Sequence, residues 1–402
     1  MGAIGGVINF DGKEIDFSLL NNMRRSMALR GRKGSAAFIN SGVGMFFCAS
    51  SDASSDDERQ PSIHQRRGKS VAVCVDSDGI EPKSVCEKYF VYGTDFLGCI
   101  DGAFALSLYD EEREIIILAR GKNAKKPLFY RMIGNKIVFS SEPKGVISAS
   151  LGAIDVNRHI LEYHITAPMG VYRAADIYSD ISEVLAGECV IFTRFGISKF
   201  FFRKNRESDR VCAKKSVSFT KEKIVYCYQS NNFDNVSEYL GEALLAFDYP
   251  QFDCFMPSLL DLLKKVRSQG KDSIIFEDMI RRRNLLYARE REDRLSSLCG
   301  VRAIGAFTRN VPMFDEKDND RLEDRLHERF FAIPPYDRLF LREVFGEYKL
   351  ELLLRVLEKR AKKEDTEKRI RILGMLCQTV DLMQSRDVRL VDRNREYSAY
   401  YV

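Results

Sequence analysis

The chain has 402 residues, room for two ordinary domains, and a formal net charge of +5, which makes no case for a nucleic-acid partner. Its hydrophobic share is 45%, with no long apolar run, so a globular fold is expected and a membrane partner is not. The ten cysteines are scattered, with no CxxC pair and no export signal, and read as reduced thiols of a cytoplasmic protein.

In chain order, residues 4–10 read as a strand ending at the turn signal Asp11-Gly12. Ser18 reads as a helix cap, with Leu20, Met23 and Met27 on one face. Residues 43–47 read as a strand, and the Ser- and Asp-rich stretch 50–59 as an exposed loop. Residues 71–75 form another buried strand, followed by Asp76-Ser77-Asp78-Gly79. The stretch 96–110 reads as a helical approach, Gly102, then a strand. Ile115-Ile116-Ile117-Leu118 is apolar at consecutive positions, so that strand is covered on both faces. Gly134-Asn135, between runs of β-branched and aromatic residues, marks a hairpin.

Asp155 reads as the cap of a helix over 156–163, and residues 189–193 and 197–202 as a hairpin. The polar, basic stretch 204–220 is the expected linker between a first domain, 1–203, and a second, 221–402. In the second, 221–227 reads as a strand and 258–268 as a helix, and Pro334-Pro335 breaks a helix. Leu350, Leu353, Leu354 and Leu357 make one apolar helix face. Ile370, Leu373, Leu376, Val380 and Met383 make another, with Glu364 and Lys368 as an i,i+4 pair between them. The two faces bury most simply against each other or against the domain.

Three blocks in the first half carry a family pattern. They are Ile100-Asp101-Gly102-Ala103-Phe104-Ala105 with Tyr109-Asp110; Lys126-Pro127-Leu128-Phe129-Tyr130 after Ala119-Arg120; and Phe139-Ser140-Ser141-Glu142-Pro143-Lys144. With the start Met1-Gly2-Ala3-Ile4-Gly5-Gly6 and the segment Glu183-Val184-Leu185-Ala186-Gly187, they resemble the class II glutamine amidotransferase domain of asparagine synthetases. The resemblance implies an α/β fold of N-terminal-nucleophile type: two antiparallel sheets between helices, followed by a smaller, mainly helical synthetase-like domain.

The site residues depart from the family. Its nucleophile is an N-terminal cysteine, and Gly2 stands there. Its oxyanion donors come from an Asn-Gly pair, and Asp76-Ser77 stands there; a carboxylate repels a developing oxyanion. No arginine lies around Phe47-Cys48-Ala49, and the chain from Asp78 to Asp95 is too short for the family's Ser-Asp segment. Arg30 falls in the family's H-R-G loop, within Leu29-Arg30-Gly31. No catalytic residue is therefore expected, and Arg30, Cys48, Asp76 and Asp78 remain as candidate contacts for an amino-acid-like ligand. Cys48 and Cys74 read as inert core thiols. His64, His159 and His164 pair with no Cys or carboxylate at ligand spacing, so no metal is expected.

The family's S-G-G-x-D-S nucleotide loop is also absent: Tyr228-Gln229-Ser230-Asn231-Asn232 follows the first strand of the second domain. A fainter echo runs from Asp248-Tyr249-Pro250 through Met256-Pro257 to residues 277–283, acidic then arginine-rich where the family has a glycine loop. The leading expectation is a non-catalytic scaffold, partner of an active homologue, or sensor, with no cofactor. The alternative is an amide-forming ligase of the asparagine synthase or β-lactam synthetase and lasso-cyclase type, working with ATP and Mg but without glutamine hydrolysis.

Overall fold

The computed structural model describes residues 2–31, 34–49, 60–77, 79–122, 126–149, 152–167, 174–202, 233–271, 273–275, 294–296, 298–304, 316–358, 365–386 and 388–392. The chain divides into two compact units, Met1–Ala149 with Glu183–Gln229, and Ser150–Ser182 with Ser230–Val402.

The first unit is built on strands β1 (Ala3–Asn9), β2 (Gly34–Asn40), β3 (Val43–Ala49), β4 (Ser62–Arg66), β5 (Lys69–Ser77), β6 (Phe104–Asp110), β7 (Ile115–Arg120), β8 (Phe129–Ile133) and β9 (Lys136–Ser140). It closes with β12 (Glu188–Thr193) and β13 (Gly196–Phe201). One six-stranded sheet runs β8-β9-β1-β3-β2, with the two-residue β11 (Ser182–Glu183) at its edge. The other runs β13-β12-β7-β6-β5-β4. The residue pairings within both sheets are antiparallel.

The consecutive apolar run of β7 shows how the layers stack. Ile116 and Leu118 lie in the core between the sheets, with Ile4, Phe47, Tyr130 and Phe139. Ile117 and Ala119 point the other way, into a second core with Val85, Tyr89 and Phe96 of the covering helix α2 (Pro82–Tyr92) and the 3-10 turn Gly93–Cys99. Successive strand side chains face opposite sides, so both faces must be covered. On the other sheet, α1 (Phe17–Ser26) packs on β1, β3 and α3 (Pro143–Ser148). The result is the expected α-β-β-α sandwich. The cap of α1 is Asp16, whose carboxylate accepts from Ser18 N at 2.8 Å, so the expected Ser18 is the capped residue and not the cap.

In the second unit, β10 (Ile154–Asn157) pairs in parallel with β16 (Val388–Val391). It leads into α4 (Arg158–Thr166), capped by Asn157, whose side chain accepts from Ile160 N. Asp155, the expected cap, instead accepts from Arg389 at 2.8 Å. The short α5 (Ala174–Ile177), α6 (Val236–Phe247) and α7 (Met256–Ser268) follow, then β14 (Ser273–Ile275) parallel to β15 (Arg302–Ile304). Further helices are α8 (Glu316–Ala332), α9 (Leu339–Phe345), α10 (Glu347–Glu358) and α11 (Thr366–Ser385). Helix α11 is the centre of this unit: Ile370, Leu373, Leu376 and Val380 are all buried, against α8, α6 and α4. Of the expected α10 face, Leu350 and Leu357 are buried and Leu353 and Leu354 half-buried.

Residues 150–182, read from sequence as part of the first domain, thus group with the second unit, because β10 pairs with β16 and α4 packs on α9 and α11. The expected loop 50–59, linker 204–220, strand 221–227 and Glu364 lie outside the described residues.

Candidate functional site

Four elements of the first unit bring charge to one interior point beside Gly2. Gly2 precedes β1, and Asp76 lies near the end of β5, opposite Ala105. Arg30 sits on the turn after α1, Lys126 just before β8, and Glu142 and Lys144 at the start of α3. The Arg30 guanidinium donates from Nε to the Gly2 carbonyl at 2.7 Å and from Nη1 to Glu142 Oε1 at 3.1 Å, and its Nη2 is 3.5 Å from Asp76 Oδ2. Lys126 Nζ donates to Asp76 Oδ1 at 3.1 Å. Lys144 Nζ lies 2.7 Å from Glu142 Oε2. None of the five charged residues is more than 8% exposed.

Charges taken out of water persist only when paired and hydrogen-bonded. Burial works against the Asp76 carboxylate, but the Lys126 ammonium and the Arg30 guanidinium hold its carboxyl below the usual 3.8. Asp76 is therefore ionised at neutral pH, in the place where the resemblance expects neutral donors. A Cβ added at Gly2 would lie 3.2 Å from Asp76 Oδ1, 3.2 Å from Phe47 Cζ and 3.3 Å from the Cys48 carbonyl oxygen. The space a side chain at residue 2 would enter is lined by a carboxylate and a phenyl ring.

The local sequence explains the placement. Gly31 allows the turn carrying Arg30 to press on β3, because a Cβ there would fall 2.1 Å from Cys48 Cβ. Ser141 fixes the head of β1 by accepting from Ile4 N at 2.9 Å and donating its own N–H to the Ile4 carbonyl.

Of the expected ligand contacts, Arg30 and Asp76 meet. Cys48 borders the same point through its carbonyl, but its thiol lies 4.0 Å from the Arg24 carbonyl, and burial pushes the thiol up to about 12. Burial also raises the Cys74 thiol, which lies in the core between the sheets. Ser77 turns into a loop, its hydroxyl accepting from Ile80 N at 3.0 Å and donating to Ile80 O. Asp78 lies outside the described residues, as do 228–232 and 277–283. His64 pairs with Ser62, and His164 is buried against the Pro250 carbonyl. Among the described residues no group of three His, Cys, Asp or Glu side chains could hold a metal ion. No helix among them is long and apolar enough to cross a membrane.

Sequence reasoning passed over Lys126, Glu142 and Lys144 as site residues, although each stands in a quoted motif. The signal was there: a carboxylate at 76, after a buried apolar strand, needs a buried cation.

Residues 76–203 match the glutamine amidotransferase domain family. The chain is 25% identical over 169 residues to "Asparagine synthetase [glutamine-hydrolyzing] 2" of Bacillus subtilis (strain 168), covering 37% of this chain and 22% of that one. It is 22% identical over 152 residues to "Putative asparagine synthetase [glutamine-hydrolyzing] 2" of Methanocaldococcus jannaschii, covering 37% and 29%. The match thus spans less than a third of either relative. Among solved structures it is similar to a glutamine phosphoribosylpyrophosphate amidotransferase from B. subtilis, at a TM-score of 0.36 and 14% identity, covering 75% of this chain and 65% of that one.

Proposed function

Because the first unit of this chain is an asparagine synthetase-like member of the class II glutamine amidotransferases, we propose that the protein is a pseudoenzyme of that family: a scaffold, sensor or partner of an active homologue, with no glutamine hydrolysis. One observation carries this reading: the ion-paired Asp76 carboxylate borders the point from which a nucleophile on residue 2 would project. Acyl transfer from glutamine needs a nucleophile there and donors facing the oxyanion. Gly2 has no side chain to attack with, and Asp76 presents negative charge where negative charge would develop. Lys126 and Arg30 are engaged with that carboxylate.

The test is glutamate release from glutamine by the purified chain, with pyrophosphate release from ATP measured in parallel. The reading expects neither. It also expects Gly2→Cys to remain inactive, and any activity to require Asp76→Asn in addition. Steady glutamate production by the unaltered chain would refute it. Pyrophosphate release with a carboxylate substrate would move the assignment to an amide-forming ligase.

A further inference from the structure

Helix α10 has two apolar sides. One buries Leu350 and Leu357 in the second unit. On the other, Tyr348, Leu352 and Val356 are 80%, 54% and 57% exposed. Their spacing of four sets them in a single stripe along the helix. Large apolar side chains in a row, unlike single scattered ones, mark an association surface. Glu351 and Arg355 stand on one flank of the stripe, exposed and 3.6 Å apart. On the other flank Lys349 is held by Glu162 at 2.7 Å.

We infer that this stripe is the contact between two copies of the chain, with α10 packed antiparallel on α10 of the second copy about a two-fold axis at Leu352. Charge pattern selects this occupant. A two-fold contact is self-complementary: where residue i meets j, residue j meets i. With the axis at Leu352, that side chain meets its own copy, and Tyr348 meets Val356, so a large group faces a smaller one. An antiparallel pair also sets each flank against the same flank of its partner. Arg355, three positions after the axis, then comes beside Glu351 of the second copy, displaced along the helix by about 3 Å at the usual rise per residue. The reciprocal pair forms at the other end of the same flank. Two exposed intrahelical pairs become one four-charge network on the rim of an apolar seam. Lys349 and Glu162 already satisfy each other on the opposite flank.

The experiment is sedimentation velocity across a micromolar concentration series, with circular dichroism on every variant. The altered side chains are exposed, so their folding is expected to be unchanged. The unaltered chain is expected to dimerise with rising concentration, and Leu352→Glu to remain a monomer. Glu351→Arg and Arg355→Glu should each weaken the dimer by about tenfold or more, since each change is felt twice across the axis. A mixture of those two variants should recover the dimer, because the facing flanks then carry opposite charges. Leu352→Cys should give a disulfide-linked dimer under oxidation where Glu358→Cys does not. A monomer at every concentration would leave the stripe to a different protein and overturn the inference. A dimer that survives Leu352→Glu would place the interface elsewhere and overturn it equally.

Discussion

Lys126 Nζ sits 3.1 Å from Asp76 Oδ1 inside the first unit, both side chains almost wholly out of water. That contact accounts for a carboxylate at the end of a buried strand. Without a cation beside it, desolvation would protonate the group or unfold its surroundings. With Lys126 and Arg30 at hand, the ionised form is the stable one.

Lys126→Met removes one of two cations beside a buried carboxylate and should cost the first unit about 3–5 kcal/mol. Adding Asp76→Asn removes the orphaned charge and should recover much of that loss. Urea unfolding of the two single variants and the double variant measures the coupling; additive losses would mean the contact is energetically idle. The pH dependence has a definite sign. The folded carboxyl titrates below its unfolded value of 3.8, so this stabilisation is present above that pH and is lost as the pH falls through the folded value.

The two cysteines nearest the nucleophile position should be chemically silent in the native chain. Cys48 is pushed up to about 12 by burial, and Cys74 is raised as well. Thiolate is the reactive form, so alkylation at pH 8 should spare both while the half-exposed Cys99 and Cys299 react. Peptide mapping after a timed iodoacetamide pulse reads this directly. Rapid native labelling of Cys48 would identify an accessible thiol and count against a filled site.

The sheets were legible because their signals are local. The four-residue apolar run at 115–118 can only be a strand covered twice, and its side chains do divide between two cores. Gly134 at φ 59° turns the hairpin its sequence announced. The ionic cluster was half-legible. Gly2 and Asp76 stand out against the resemblance, but their partners come from residues 28 or more positions away, and no local pattern encodes such pairing. The caps at Ser18 and Asp155 were misplaced by two residues for a related reason. Asp16, Ser18, Asp155 and Asn157 can all cap, and at the second helix a tertiary contact decides: Arg389 claims Asp155, which leaves Asn157 for the helix. The grouping of 150–182 with the second unit depends on a strand more than 230 residues further on.

His164 should make the second unit acid-sensitive. Its ring donates to the Pro250 carbonyl at 2.8 Å, and burial lowers it from 6.5 to about 4. Below pH 6.5 the unfolded chain binds a proton that the folded one excludes, so stability falls as the pH drops from about 6.5 to about 4. The loss over that window is on the order of 3 kcal/mol. His164→Gln keeps a donor and removes the titration. Its stability should be lower at pH 7 but flatter with pH; an unchanged slope would place the acid sensitivity elsewhere.

Two helical glycines should respond to alanine with opposite signs. Alanine is worth about 1 kcal/mol more than glycine inside a helix, so an unhindered site gains. Gly241 in α6 is such a site, with nothing within 4 Å of an added Cβ. At Gly374 in α11 the Cβ would lie 2.4 Å from Phe252 Cδ1 and 3.0 Å from Phe252 Cβ, within a ring that is itself fully buried. Overpacking of that kind costs about 1–3 kcal/mol and outweighs the propensity gain. Thermal unfolding should therefore rise for Gly241→Ala and fall for Gly374→Ala. Phe252→Leu should reverse part of the second loss, because the clash and the added methyl share one space. A Gly374→Ala chain as stable as the original would mean that α11 does not pack this closely on Phe252.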